Sequence, residues 1–357
     1  MKKLVLAALV LSTTSGCFNG CNRKKEQEAI EPPPTTPLTS ETAIAPKPIT
    51  HDELVAHFQE CWQLWNQAAW DKYKDCYTAD ATLDSPGSGE PTSKGAPAVV
   101  DATKELKTGF PDMTGEPKLV LVHGRDLVSV TQLAGTHTGP FAGVTAMNQK
   151  IGFLMGEVIT VDDQGHAEKA AAYFDAATIM GQLGGDKGHP VRAPGSTTIP
   201  KETVISKDDT AEQANLAVAK QELDAFNKHD AKACGAVLAD DLVWSEQEEA
   251  KDWTKAELLA DHAQAWKAFS DLRMTASAMW TAGPYVVTVA TFDGTNDGPM
   301  PMLAKPTKKT VSLPFLSIEK IDGGKIKAGW VFMQSMAVMQ QLGIAPPAAG
   351  SATGSAK

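Results

Sequence analysis

The sequence predicts an α+β protein made of two copies of one domain, each with three helices followed by a curved antiparallel sheet. The repeat is the first observation behind that expectation. Gly135-Thr136-His137-Thr138-Gly139-Pro140-Phe141 returns as Gly294-Thr295-Asn296-Asp297-Gly298-Pro299-Met300. At the same offset Phe110-Pro111-Asp112 returns as Phe269-Ser270-Asp271, and Met180-Gly181-Gln182-Leu183-Gly184 as Met339-Gln340-Gln341-Leu342-Gly343. Landmarks at one fixed spacing mark a duplicated unit. The second observation is the order of patterns within each copy, where helical spacing of apolar residues gives way to strand-like runs separated by Gly and Asp turns.

The first copy opens at Ile49-Thr50-His51-Asp52-Glu53-Leu54. Thr50 and Glu53 form a capping box, with Ile49 and Leu54 placed as a hydrophobic staple. Leu54, Phe58, Cys61, Trp62, Trp65 and Ala68 recur at helical spacing. A short helix is expected near 71–77, a brief strand at 81–84 and a third helix near 96–108. Strands follow at 119–122, 127–134, 151–161 and 167–174, and a short helix closes the copy at 176–183. In the second copy Thr210 with Gln213, and Thr254 with Glu257, read as further capping boxes. Leu216, Leu223 and Phe226 mark its first helix, and 285–292, 310–321 and 325–333 read as strands.

The start of the chain reads as an address. Lys2 and Lys3 precede an apolar run from Leu4 to Leu11, too short to span a bilayer but suited to a secretory signal. Ser12 to Gly16 then lead to Cys17, a pattern that resembles the bacterial lipobox, with Thr14 where Leu is usual. The expected division is a signal peptide at 1–16 and a lipidated Cys17 heading a Pro-rich tether at 17–50. The first domain then covers 51–184, a linker 185–209, the second domain 210–343 and a disordered tail 344–357. Acyl chains on Cys17 would attach the protein to a bacterial membrane, at the outer membrane or periplasmic face.

Formal charge is −10 with a pI near 5.3, and Arg23-Lys24-Lys25 is the one basic cluster. That balance argues against a nucleic-acid partner. Five cysteines are too few for a disulfide-stapled fold. Cys61 and Cys76 lie on neighbouring helices and either pair or remain buried thiols. No set of His, Cys, Asp or Glu has metal-ligand spacing, and no phosphate loop or nucleophile elbow is present, so neither metal nor cofactor is expected.

Phe-Pro-Asp after the third helix, Gly-Thr-His-Thr-Gly on a strand and a closing strand ending Tyr173-Phe174-Asp175 resemble the SnoaL-like branch of the NTF2-like superfamily. The family usually continues with Pro-Thr-Gly-Lys. The first copy has Thr145-Ala146-Met147-Asn148 there, and the second keeps Pro306-Thr307-Lys308. The resemblance implies two cones, each with helices on the concave face of a bent sheet around a pocket. It also implies pairing through the outer sheet face, hence a pseudo-dimer within one chain, and an acidic residue near Asp175 as general acid/base of a metal-free cyclisation.

On the closing strand, period two puts Ala171, Tyr173 and Asp175 on one face. Their repeats are Trp330, Phe332 and Gln334, an apolar set that suggests an inward face. Asp175 is then either an acid/base at the pocket wall or the N-cap of the following helix. His137 is either a second acid/base or a strand-end histidine bonded to backbone. Tyr173, Ala171, Trp62, Trp65, Trp330 and Phe332 are the candidate ligand-contact residues. Asp112 and Asp271, kept in both copies, read as turn formers. With His137 and Asp175 replaced in the second copy, that copy is expected to be degenerate. Binding of a small apolar molecule is the leading expectation, ahead of a cyclase-like or isomerase-like enzyme and an interaction scaffold.

Overall fold

The computed structural model describes residues 47–184, 191–300, 303 and 305–344. The expected signal peptide, Cys17, nearly all of the tether and all but the first residue of the tail lie outside the described residues. No described helix is long and apolar enough to cross a membrane.

Domain 1 begins with helix α1 (His51–Asn66), whose capping box is present: Glu53 N donates to Thr50 Oγ1, and Thr50 N to Glu53 Oε2. Its buried stripe is Leu54, Phe58, Trp62 and Trp65. A short helix α2 (Trp70–Tyr73) and a 3₁₀ turn (Lys74–Cys76) lead into β1 (Tyr77–Asp84) and β2 (Ser93–Lys94). Then come α3 (Ala96–Gly109), β3 (Thr114–His123), β4 (Asp126–Thr136), β5 (Lys150–Val161), β6 (Ala167–Tyr173) and α4 (Ala176–Gln182). Cys61 and Cys76 form a disulfide between α1 and the 3₁₀ turn, which answers the pairing question.

The stretch expected as a linker supplies a strand, β7 (Glu202–Ile205), which pairs in parallel with β3. The domain 1 sheet therefore has seven strands in the order β2-β1-β6-β5-β4-β3-β7.

Domain 2 runs through α5 (Thr210–Asn227), α6 (Ala231–Val237), β8 (Leu238–Glu246), α7 (Lys255–Ala268), β9 (Arg273–Ala282), β10 (Tyr285–Thr295), β11 (Thr310–Asp322), β12 (Lys325–Met333) and α8 (Ser335–Leu342). Its five-stranded sheet is ordered β8-β12-β11-β10-β9. The Thr254/Glu257 capping box forms. The Thr210/Gln213 box does not: Asp209 is the N-cap and accepts from Glu212 N at 2.9 Å. Glu212 turns its carboxylate to the amides of Lys207, Asp208 and Gly283.

The repeated landmarks are structural. Asp112 Oδ1 accepts from Thr136 N at 2.7 Å, and Asp271 Oδ1 from Thr295 N at 2.6 Å, tying the end of α3 or α7 to a strand end. The second Gly of each Gly-Thr repeat passes against a helix-end carbonyl. A Cβ at Gly139 would lie 2.0 Å from Thr108 O, and one at Gly298 would lie 1.6 Å from Lys267 O.

Both faces of each sheet are buried. On β4, Leu127 and Leu133 face the helices, while Val128 and Val130 face the other way. The outward faces of the two sheets meet in one core that includes Leu121, Val130, Tyr173, Trp280, Leu316 and Phe332. Equivalent positions contribute from each side: Ala171 and Trp330, Tyr173 and Phe332, Leu121 and Trp280. This corrects the expectation for the closing strands. Ala171, Tyr173, Trp330 and Phe332 face the partner sheet, and their neighbours Ala172, Phe174, Val331 and Met333 face the cones.

The two domains also exchange caps. Asp175, N-cap of α4, accepts from Ser335 N at 3.1 Å and Ser335 Oγ at 2.7 Å at the start of α8. Gln334, the equivalent residue before α8, accepts through Oε1 from Ala176 N at 3.2 Å.

Candidate ligand cavity

The concave faces line one continuous, partly open cavity of about 1410 Å³, bordered by both domains and by α4 and α8 between them. Trp62, Trp65 and Phe174 wall it in domain 1, and Trp244, Phe292 and Met333 in domain 2. These positions follow from helix and strand periods: Trp62 and Trp65 lie on the buried stripe of α1, and Phe174 and Met333 follow the inward alternation of β6 and β12.

The polar groups on this wall form clusters, one in each domain. In domain 1 the Tyr73 and Tyr77 hydroxyls are hydrogen-bonded at 2.6 Å, and Glu157 lies on β5 where Ser129 Oγ donates to its Oε2 at 3.2 Å. Burial pushes the Glu157 carboxyl up to about 7, with the Ser129 bond opposing it. Burial also raises both phenols, so each stays a neutral hydrogen-bond donor near neutral pH.

Domain 2 is richer in acids. Glu222, Glu246, Glu248, Glu249, Asp261 and Glu319 all border the cavity. Burial raises Glu222 and Glu246 to about 7 and Asp261 to about 6. It raises Glu248 and Glu319 further, Glu246 adding its charge to the first and Glu222 to the second. Trp244 Nε1 donates to Glu246 Oε1 at 3.0 Å. The Oε2 atoms of Glu248 and Glu319 have no hydrogen-bond partner among the described residues. His262 also borders the cavity, and burial lowers its imidazole to about 4, so it is neutral at physiological pH.

The expected site residues divide into four groups. Trp62 and Trp65 line the cavity. Ala171, Tyr173, Trp330 and Phe332 do not, because their side chains fill the core between the sheets. Asp175 reaches the cavity wall, but both its oxygens are engaged. Oδ2 accepts from Thr178 N and Oγ1, each at 2.8 Å, and Oδ1 accepts from Ser335. His137 is fully enclosed, 5.2 Å from the Phe110 ring, with neither ring nitrogen hydrogen-bonded among the described residues. It is not among the residues bordering the cavity, so the fold does not bring it to Asp175 there. Its counterpart Asn296 donates to Ala268 O and Gly298 O and accepts from Thr307, holding the loop.

The sequence pattern of the SnoaL-like polyketide cyclases matches residues 53–183 and again 217–342. The chain belongs to this family. Solved structures of other proteins match little more than a third of the chain each, at low identity. A protein assigned to the SnoaL-like polyketide cyclases from Jannaschia sp. CCS1 is 18% identical, covering 40% of this chain and 99% of its own, with a TM-score of 0.36. TsrD from Streptomyces laurentii is 19% identical over 38% of this chain and 100% of its own, with a TM-score of 0.34. An epoxide hydrolase of M. tuberculosis is 15% identical over 37% of this chain and 90% of its own, with a TM-score of 0.31. No curated protein matches the chain.

In this tandem SnoaL-like chain the polar groups that the sequence did not single out are Tyr73, Tyr77 and Glu157 in domain 1 and the acids with His262 in domain 2. One signal was available for Glu157. An acid in the apolar run Ile151–Val161 must be buried on one face or the other once the strand is central to a sheet.

Proposed function

We propose that this protein is an exported, membrane-tethered binding protein that encloses a small, largely apolar molecule in the cavity shared by its two cones. The observation that carries this reading is the cavity itself: about 1410 Å³, walled largely by aromatic and aliphatic side chains, with its polar groups gathered in clusters. Ligand pockets commonly measure ~300–1,000 Å³ with such a lining, so the space suits a polycyclic or lipid-like molecule. The cones act as a pseudo-dimer. The near-symmetric cap exchange of Asp175 and Gln334 supports this, since reciprocal contacts of equivalent residues characterise two-fold interfaces. Export is supported by the Cys61–Cys76 disulfide, a bond that persists in oxidising compartments, and by the leader that ends at Cys17. Replacing Cys17 by Ala should move the protein from the membrane fraction to the soluble fraction.

Intrinsic fluorescence reports on the cavity, because Trp62, Trp65, Trp244 and Trp253 border it. Titration with steroid-like and polyketide-like compounds should change the emission saturably. Ala172→Trp, which fills the domain 1 side, should weaken that binding at least tenfold. A panel without a saturable response would contradict the reading.

A second reading, acid/base catalysis, has one specific support. A neutral tyrosine pair and a carboxyl poised near neutrality border the same cavity, where they can donate to a carbonyl or enolate oxygen or exchange a proton. This moves the candidate chemistry from Asp175 and His137 to Glu157, Tyr73 and Tyr77. Turnover of a captured ligand that falls at least a hundredfold in Glu157→Gln, with binding unchanged, would favour it.

A further inference from the structure

One corner of domain 2 carries side chains for which domain 1 has no counterpart. Glu222 on α5, Cys234 on α6 and His262 on α7 place their potential ligand atoms within 4.8 Å of one another. All three residues are buried, and Cys234 is a free thiol at 0% exposure. His262 is 7% exposed, and its Nδ1 has no hydrogen-bond partner among the described residues. Its ring is held by aromatic surfaces, with Phe226 edge-on at 4.9 Å and Trp266 at 5.7 Å. A buried imidazole nitrogen without a partner forfeits a hydrogen bond that water would have supplied, and so calls for an explanation.

We propose that Glu222, Cys234 and His262 form a zinc(II) site at the wall of the domain 2 cavity. One carboxylate, one thiolate and one imidazole are the donors that zinc accepts, whereas magnesium and calcium require oxygen-only shells. Zinc–ligand bonds of about 2.0–2.3 Å place tetrahedral donors roughly 3.3–3.8 Å apart, so the three side chains reach a zinc geometry by closing about 1 Å. Carboxylate and thiolate together neutralise the ion. On binding, the S–H bond of Cys234 breaks, the Zn–S bond forms and the proton leaves to solvent. Glu222 and His262 border the cavity while Cys234 lies behind them. The fourth position therefore opens toward the cavity, as in zinc sites that engage a water or a ligand.

The comparison with domain 1 shows that the site is specific to one copy. Asn66 and Asn227 are equivalent anchors: each exchanges two hydrogen bonds with a strand residue, Gly115 and Met274 respectively. Counting from them along α1 and α5 places Cys61 at the position of Glu222. Counting back from the strand pairings of Tyr77 with Ala167 and of Leu238 with Ile326 places Tyr73 at the position of Cys234. Counting from Phe110 and Phe269 places Thr103 at the position of His262. Domain 1 thus has a disulfide-bonded Cys, a Tyr and a Thr where domain 2 has Glu, Cys and His.

The test uses the full chain, stripped with a chelator and titrated with zinc against a competing chromophoric chelator. One zinc per chain is expected. Cobalt(II) in its place should give the intense visible bands of tetrahedral coordination and a thiolate-to-cobalt charge-transfer band. Cys234→Ser should abolish that band and weaken zinc at least tenfold, and His262→Gln should weaken zinc to a similar degree. Zinc should raise the melting temperature of the unsubstituted chain and shift that of Glu222→Gln less, a readout that survives if a Cys234 variant folds poorly. Binding well below one equivalent would overturn the proposal. So would a cobalt complex without a thiolate band, or unchanged affinity in both Cys234→Ser and His262→Gln.

Discussion

The two SnoaL-like copies agree where backbone meets backbone and differ where side chains face the cavity. Asp112 and Asp271 make the same bond to a strand-end amide, and Gly139 and Gly298 leave the same space for a helix-end carbonyl. Asn66 and Asn227 clamp the same strand. Inside the cones the likeness ends. The corner with Cys61, Tyr73 and Thr103 in domain 1 has Glu222, Cys234 and His262 in domain 2. Duplication has preserved a frame and given its two interiors different chemistry. The copy that lacks His137 and Asp175 holds the larger set of buried ionisable groups.

The first way to break this comparison is at the core between the sheets. Tyr173 and Phe332 occupy equivalent positions there and are almost fully buried. Truncation of either to Ala should cost about 3–5 kcal/mol, measured by denaturant unfolding of the full chain. A large cost on one side only would show that the contact is not shared by the copies. Next comes the disulfide, present in domain 1 alone among the described residues. It closes a loop of 15 residues, so Cys61→Ser should cost about 3 kcal/mol, and a reductant should lower the stability of the unsubstituted chain by a similar amount and leave the variant unchanged.

The third prediction concerns pH. Burial raises the Glu157 carboxyl from its ordinary 4.5 to about 7, while its counterpart in domain 2 is Ser317, which does not titrate. Between those values the folded chain holds a proton that the unfolded chain has released. Stability from this group is therefore present at the acidic end and is lost as pH rises toward 7. Glu157→Gln should remove that slope and be more stable than the unsubstituted chain at pH 8 by on the order of 3 kcal/mol. The two should converge near pH 5. An unchanged slope in thermal melts of the variant would contradict the assignment.

The smallest effects belong to the cap exchange. Asp175→Ala removes an N-cap and two bonds to Ser335, at a cost of about 1–2 kcal/mol. Gln334→Ala removes one bond, at a cost of about 0.5–1 kcal/mol. Asp175→Ala that left stability untouched but abolished ligand binding would return Asp175 to the functional site.

Much of the frame was legible because it is local or repeated. The capping boxes at Thr50/Glu53 and Thr254/Glu257 need four consecutive residues, and the Gly-Thr landmarks recur at a fixed offset. The site was less legible for two physical reasons. Alternation on β6 and β12 gives two faces but no sign, and here both faces are buried, one in a cone and one against the other sheet. Choosing the more apolar face therefore selected Ala171, Tyr173, Trp330 and Phe332, which build the core between the sheets. The Glu222, Cys234 and His262 set comes from three helices with no motif spacing, so only packing assembles it. The Thr210/Gln213 box failed because Asp209 caps the helix one residue earlier, leaving Thr210 inside it.

Native mass spectrometry of the chain, taken gently from its own host, tests the central claim most directly. The account predicts a retained small molecule that is lost in Ala172→Trp, whose side chain enters the cavity, and kept in Val243→Thr, at an exposed position away from the cavity. A chain that emerges empty under conditions preserving its fold, or a molecule retained equally by Ala172→Trp, would contradict it.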